Sequence, residues 1–178
     1  MAGSRDRAPE AATPPAGGLW LGAAACVLLV VGTRIVGTSP APVMRGLSYT
    51  LLGLAVVFGG LPLVQLRRYG APPPRGRVTA TTTVVQRGLY AVVRHPQYLG
   101  GDFLAWGLVT SAPHWGTILP AVAVTAALSY QARTEEGYLI ERFGDAYRAY
   151  MRTVPRFGLL TGLVRYARRA RRARVEAP

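Results

Sequence analysis

The chain has 178 residues, half of them hydrophobic, with a net charge of +13 carried by 21 basic residues, all arginine, against 8 acidic ones. That length excludes a large soluble core alongside several membrane spans, and it leaves one compact membrane domain with polar tails. No nucleic-acid module is visible and the arginines flank apolar segments, so the charge points to an anionic membrane surface and not to nucleic acid.

The first 18 residues are rich in Pro, Ala and Gly and mixed in charge, which predicts a disordered tail over 1–18 and not a secretory signal. Four apolar segments follow. The first runs about Leu19 to Val36 and contains the single cysteine, Cys26, so no intrachain disulfide forms. The second runs about Leu47 to Leu66, and both are near the length needed to cross a bilayer. The third, about Tyr98 to Ser111, and the fourth, about Thr117 to Tyr130, are short. The breaker sequence Ala112-Pro113-His114-Trp115-Gly116 separates them, which predicts a helical hairpin. Between the second and third segments the loop holds Arg67, Arg68, Arg75, Arg77, Arg87 and Arg94. Its Pro72-Pro73-Pro74 run is stiff, and its β-branched Thr79–Val85 stretch is expected to be extended.

Beyond the fourth segment, about Ala132 to Met151 reads as one amphipathic helix. Leu139, Phe143, Tyr147 and Tyr150 recur at helical spacing as a packing stripe. The tail from Arg165 to Arg174 is a basic run suited to anionic lipid headgroups. Arginine is abundant in the central loop and after the fourth segment, whereas only Arg34 and Arg45 fall on the other side. Both termini and the central loop are therefore expected in the cytoplasm. The predicted fold is all-α: an integral protein of a bacterial plasma membrane, with four transmembrane helices and a C-terminal amphipathic helix at the cytoplasmic face. Its expected parts are a tail (1–18), a membrane domain (19–157, with ligand-binding residues in 82–157) and a basic tail (158–178).

The residues that carry chemistry gather on that cytoplasmic face. Arg94-His95-Pro96-Gln97-Tyr98-Leu99-Gly100 opens the third segment, and Glu135-Glu136 follows the fourth. Ionisable groups at membrane boundaries are costly and mark functional sites. Arg94 also fits a positive-inside anchor, and the acidic pair also fits the dipole at a helix N-terminus.

In order along the chain come Gly88-Leu89-Tyr90, the Arg94–Gly100 motif, Glu135-Glu136, Phe143-Gly144, Tyr147, Tyr150 and Val154-Pro155. This pattern resembles the isoprenylcysteine carboxyl methyltransferase family, related to the phospholipid N-methyltransferases. The likeness covers about Thr82 to Phe157. It implies a membrane methyltransferase that uses S-adenosylmethionine, enclosed by the last two membrane helices and the C-terminal helix. It also implies cofactor contacts at Val85, Tyr90, His95, Pro96, Gln97, Tyr98 and one acidic residue.

The side chains suit those contacts. Glu135 or Glu136 would accept from the cofactor ammonium, while His95 and helix-start N–H groups would donate to its carboxylate. Pro96 suits a first helical position. Tyr90 and Tyr98 offer ring faces to adenine or to the sulfonium, and Gly100 permits close approach of a ligand or helix. Arg133, just before the acidic pair, stands where the family orients its acceptor. Thr82 stands where the family often has a histidine. No metal site is expected. The partner is a lipid or lipid-attached methyl acceptor reached from the bilayer. Two other readings are an NADPH-dependent reductase of the sterol reductase type and a non-catalytic module that binds a lipid or a partner protein.

Overall fold

The computed structural model describes residues 40–72 and 81–175, together with Val31. The N-terminal tail, Cys26, Arg34, Arg75, Arg77, Pro73, Pro74 and, apart from Val31, the first apolar segment lie outside the described residues. The elements are α1 (Pro42–Tyr69), a 3-10 turn (Gly88–Ala91), α2 (Pro96–Ser111), α3 (Trp115–Phe143), α4 (Asp145–Thr153) and α5 (Leu159–Val175). No strand occurs among the described residues, so the all-α expectation holds.

Pro42 opens α1, where its missing N–H leaves no bond unmade, and Arg67 and Arg68 close it against the negative end of the helix dipole. Its apolar stretch has a mean hydropathy of 1.9 and is only 17% buried within the molecule. The core helix of a soluble protein would be mostly buried, whereas α1 leaves most of its apolar surface uncovered, Val56 and Val64 included, as suits a helix of a membrane protein. At 28 residues it is long enough to cross a bilayer, and it is the one helix among the described residues that is both long and apolar enough to do so. The 16 residues of α2 reach about 24 Å, short of a hydrocarbon core of about 30 Å. α3 turns polar after Tyr130. Four crossings therefore do not follow from the length and composition of these helices.

The α1–α2 packing rests on small residues. A Cβ on Gly100 would come within 2.8 Å of the backbone of Phe58 and Gly59, so the two helices meet backbone to backbone there. Ser48 Oγ donates to the Gly107 carbonyl at 2.8 Å, and Phe58 and Phe103 meet edge to face at 5.4 Å. α2 and α3 form the expected hairpin. His114 caps α3: its Nδ1 accepts from Gly116 N–H at 3.0 Å, and the Thr117 hydroxyl accepts from His114 N–H at 3.2 Å. Ala105, Val109, Ala121 and Val124 fill the contact between the two helices.

The stretch read from sequence as one helix from Ala132 to Met151 is broken. α3 runs on to Phe143 and stops at Gly144, whose φ of 56° and ψ of −130° suit glycine alone. α4 then folds back, burying Tyr147, Tyr150 and Val154 against Val84, Leu139, Ile140 and Phe143. The basic run from Arg165 to Arg174 lies in α5. That helix docks where Gly162 meets the Val92 carbonyl, and an Arg169 guanidinium N–H donates to the Ala91 carbonyl at 2.6 Å. Described residues of the loop returning from α1 hang on the C-terminal end of that helix. Thr82 N–H donates to the Gly70 carbonyl at 2.9 Å, and Leu89 N–H donates to Gln65 Oε1 at 3.0 Å.

Candidate active site

Two strips of backbone converge where α2 begins. Arg94 N–H donates to the Pro155 carbonyl at 2.9 Å and His95 N–H to the Arg156 carbonyl at 3.3 Å. The segment after α4 is thereby stitched to the segment before α2. The Tyr150 hydroxyl adds a third tie, donating to the Tyr90 carbonyl at 2.7 Å. These bonds close α4 over the start of the hairpin.

Under that cover lies a cavity, partly open to the outside. Its polar lining includes Arg94, His95, Gln97, Tyr98 and Glu135, and its apolar and aromatic lining includes Val84, Val85, Tyr90, Leu139, Phe143, Tyr147 and Tyr150. A few convergent polar groups in a mostly apolar concavity are the usual form of a small-molecule site.

The two adjacent carboxylates do different work. Glu136 is buried and does not line the cavity. His95 Nε2–H donates to its Oε1 at 3.2 Å, Arg156 Nε–H donates to the same oxygen at 3.0 Å, and an Arg156 Nη2 N–H donates to Oε2. Burial alone would raise its pKa. The bonds from His95 and Arg156 and the charge of Arg94 outweigh burial and hold it at about 2. Glu136 is thus a fixed anion that orients one histidine and two arginines. Glu135, by contrast, faces the cavity. It accepts from the Tyr98 hydroxyl at 2.7 Å and lies 3.7 Å from His95 Nδ1. The His95 and Tyr98 rings stack at 5.3 Å, which fixes both edges of the cavity mouth. Gln131, buried one turn before Glu135, also hydrogen-bonds Tyr98.

Arg94 carries unsatisfied donors. Its Nη1 lies 3.1 Å from Glu136 Oε1, close enough for charge pairing but not aligned as a hydrogen bond. Among the described residues neither Nε nor Nη1 finds a hydrogen-bond acceptor, although both are buried and Arg94 lines the cavity. Buried guanidinium N–H groups without an acceptor are costly and suit an anionic ligand group. Burial, followed by the charge of Glu135, raises the pKa of Tyr90, so its phenol stays neutral.

Of the residues expected from sequence, Val85, Tyr90, His95, Pro96, Gln97, Tyr98 and Glu135 line one cavity. Glu136 stands behind it, and Gly100 faces α1. Arg133 is exposed on α3 and is not among the lining residues. Sequence reasoning missed Arg156 and Gln131, and it placed Arg94 in the chemistry-bearing motif without naming it as a ligand contact. It assigned Tyr147 and Tyr150 to packing alone, whereas both pack and line the cavity. The Val154-Pro155 pattern was the nearest signal for Arg156, which follows it directly.

Helical elements, one long and largely uncovered apolar helix and a mixed apolar and charged cavity at one end of a hairpin suggest a membrane protein with a small-molecule site. The chain belongs to the phospholipid methyltransferase family, whose model matches residues 47–146. It is similar to the protein-S-isoprenylcysteine O-methyltransferase of Schizosaccharomyces pombe, with 39% identity over 75 residues, 40% of this chain and 31% of that protein. It is also similar to methanethiol S-methyltransferase 2 of Bradyrhizobium diazoefficiens, with 42% identity over 67 residues, 38% of this chain and 25% of that protein. The matched stretch thus spans a third or less of these relatives. No solved structure matches the chain significantly.

Proposed function

We propose that the chain is an S-adenosylmethionine-dependent methyltransferase acting on an apolar or lipid-attached acceptor at the cytoplasmic membrane face. The observation that carries this reading is the pairing, in one cavity, of a carboxylate (Glu135) with buried guanidinium N–H groups that lack an acceptor (Arg94). A ligand that bears an ammonium, a carboxylate and an aromatic base fits that donor and acceptor set. The family and the names of both relatives support methyl transfer over NADPH-dependent reduction.

When bound, S-adenosylmethionine supplies an electrophilic methyl group on a sulfonium. Arg94 and His95 would hold the ligand's carboxylate end, and Glu135 would accept from its ammonium. Val85, Tyr90 and Tyr98, with Pro96 and Gln97, line the same cavity and would flank its base and its cationic sulfur. Glu136 and Arg156 act one layer out by fixing His95 and Arg94. α4 covers the site and excludes water, which keeps the charge contacts strong and aligns donor and acceptor. Exposed Arg133 serves the acceptor only if a substrate reaches that outer surface.

The membrane arrangement belongs to the same proposal. Four crossings, with both termini in the cytoplasm and the basic C-terminal region against an anionic surface, bring the cavity to the cytoplasmic boundary, where a charged cofactor enters from water. The acceptor slides in from the bilayer, because drawing its chain through water costs about 0.8 kcal/mol per CH₂. The test is methyl transfer from labelled cofactor to acceptors of increasing alkyl or prenyl chain length. Activity should climb steeply with chain length, and equal reaction of a short, water-soluble acceptor would overturn lateral access.

A further inference from the structure

We propose that the end of α4 and one face of α5 form a binding site for the phosphate headgroup of an anionic phospholipid. Arg165, Arg168, Arg169 and Arg172 are spaced i, i+3, i+4 and i+7, which places all four on one stripe of α5. Arg152 and Thr153 at the end of α4 close the other side, so the six residues line one open groove. No carboxylate lines it among the described residues. Five guanidiniums brought together by two elements repel one another, and an anion between them relieves that repulsion.

The apolar residues of α5 identify the occupant. Leu160, Leu163 and Val164, also at helical spacing and exposed, lie on the face of α5 turned away from the stripe, so the helix is amphipathic. A basic amphipathic helix of this kind suits a lipid interface, where its arginines meet phospholipid headgroups at the level of its polar face. A nucleic acid would find no use for the apolar face. The membrane itself is at hand, because α1 of the same chain leaves most of its apolar surface uncovered. Arg169 belongs to both worlds: it lines the groove and donates to the Ala91 carbonyl, one residue from Tyr90 of the cavity. The site rests on the membrane setting and not on methyl transfer.

The full-length protein in neutral detergent, titrated with short-chain phosphatidylglycerol and phosphatidylcholine, tests the proposal, with native mass spectrometry as the readout. Phosphatidylglycerol should bind and phosphatidylcholine should not. The Arg165→Gln, Arg168→Gln, Arg172→Gln variant should lose roughly a hundredfold in phosphatidylglycerol affinity. Arg171→Gln with Arg174→Gln, off the stripe, should lose less than about twofold in total. The single exposed change Arg168→Gln repeats the test at about fivefold if the triple variant unfolds. Equal losses on and off the stripe would reduce the groove to net charge. Inorganic phosphate binding as tightly as the lipid would make it a free-anion site. Tighter binding of a single-stranded RNA probe would make it a nucleic-acid surface. Each of these three results overturns the proposal.

Discussion

Glu135 and Glu136 are neighbours with opposite duties, and single substitutions should separate them. Glu135→Gln removes a cavity-facing acceptor and should weaken binding of the demethylated product, S-adenosylhomocysteine, by about tenfold or more, the loss of a charge-assisted bond. Its effect on melting should be small. Glu136→Gln leaves Arg94 and Arg156 without their buried counter-ion and should destabilise the fold by about 3–5 kcal/mol, read as a large drop in melting temperature. Glu136 also sets an acid limit. Its pKa falls from 4.5 unfolded to about 2 folded, so the stability it adds is complete above about pH 5 and drains away as pH falls from 4.5 toward 2. Thermal unfolding in that window should steepen with acid in the native chain and flatten in Glu136→Gln. Unchanged acid sensitivity in the variant would contradict the assignment. At this scale the sequence was informative where chemistry is local: Arg94 to Tyr98 and the Glu pair stand in two short runs. It could not show which carboxylate turns inward, because one residue of helix rotates a side chain by about 100°. It hid Arg156, one of 21 arginines and 20 positions from its partner Glu136.

Helices here are fixed by contacts between backbones as much as by apolar stripes. Gly100→Leu should force α1 and α2 apart, because the obstacle is the backbone of Phe58 and Gly59. A loss of about 1–3 kcal/mol or more is expected from such overpacking. Gly107→Ala should cost less, since its Cβ would meet the movable side chain of Leu52 at 3.1 Å. Thermal melts of the two variants in the same detergent check the order, and a Gly107→Ala effect equal to that of Gly100→Leu would refute it. The hairpin, its breaker turn and the apolar extent of α1 were legible from hydropathy and Pro/Gly punctuation. The break at Gly144 was not, because the aromatic spacing runs through it unchanged and only the backbone angles reveal it. Reading Gly144 as interior to one helix also hid the fold-back that brings Tyr147 and Tyr150 over the cavity.

The arginine distribution predicts one orientation of the whole molecule, and that prediction is open to direct test. Gln86→Cys and Arg174→Cys, both exposed, should resist an impermeant thiol reagent in intact cells that carry a Cys26→Ser background. Pro113→Cys, exposed in the hairpin turn, should label. The reverse pattern would invert the topology while leaving the cavity unchanged. Composition pointed to the membrane-type family to which the chain belongs, yet it overstated how many of the described helices are long and apolar enough to span on their own. The central claim, that one cavity at the mouth of the hairpin takes S-adenosylmethionine, meets its most direct test in calorimetric titration of the purified full-length protein with S-adenosylhomocysteine and with NADPH. Saturable binding of S-adenosylhomocysteine, weakened in His95→Ala and in Glu135→Gln and with no binding of NADPH, is the predicted result. Binding of NADPH with none of S-adenosylhomocysteine, or wild-type affinity in both variants, would contradict it.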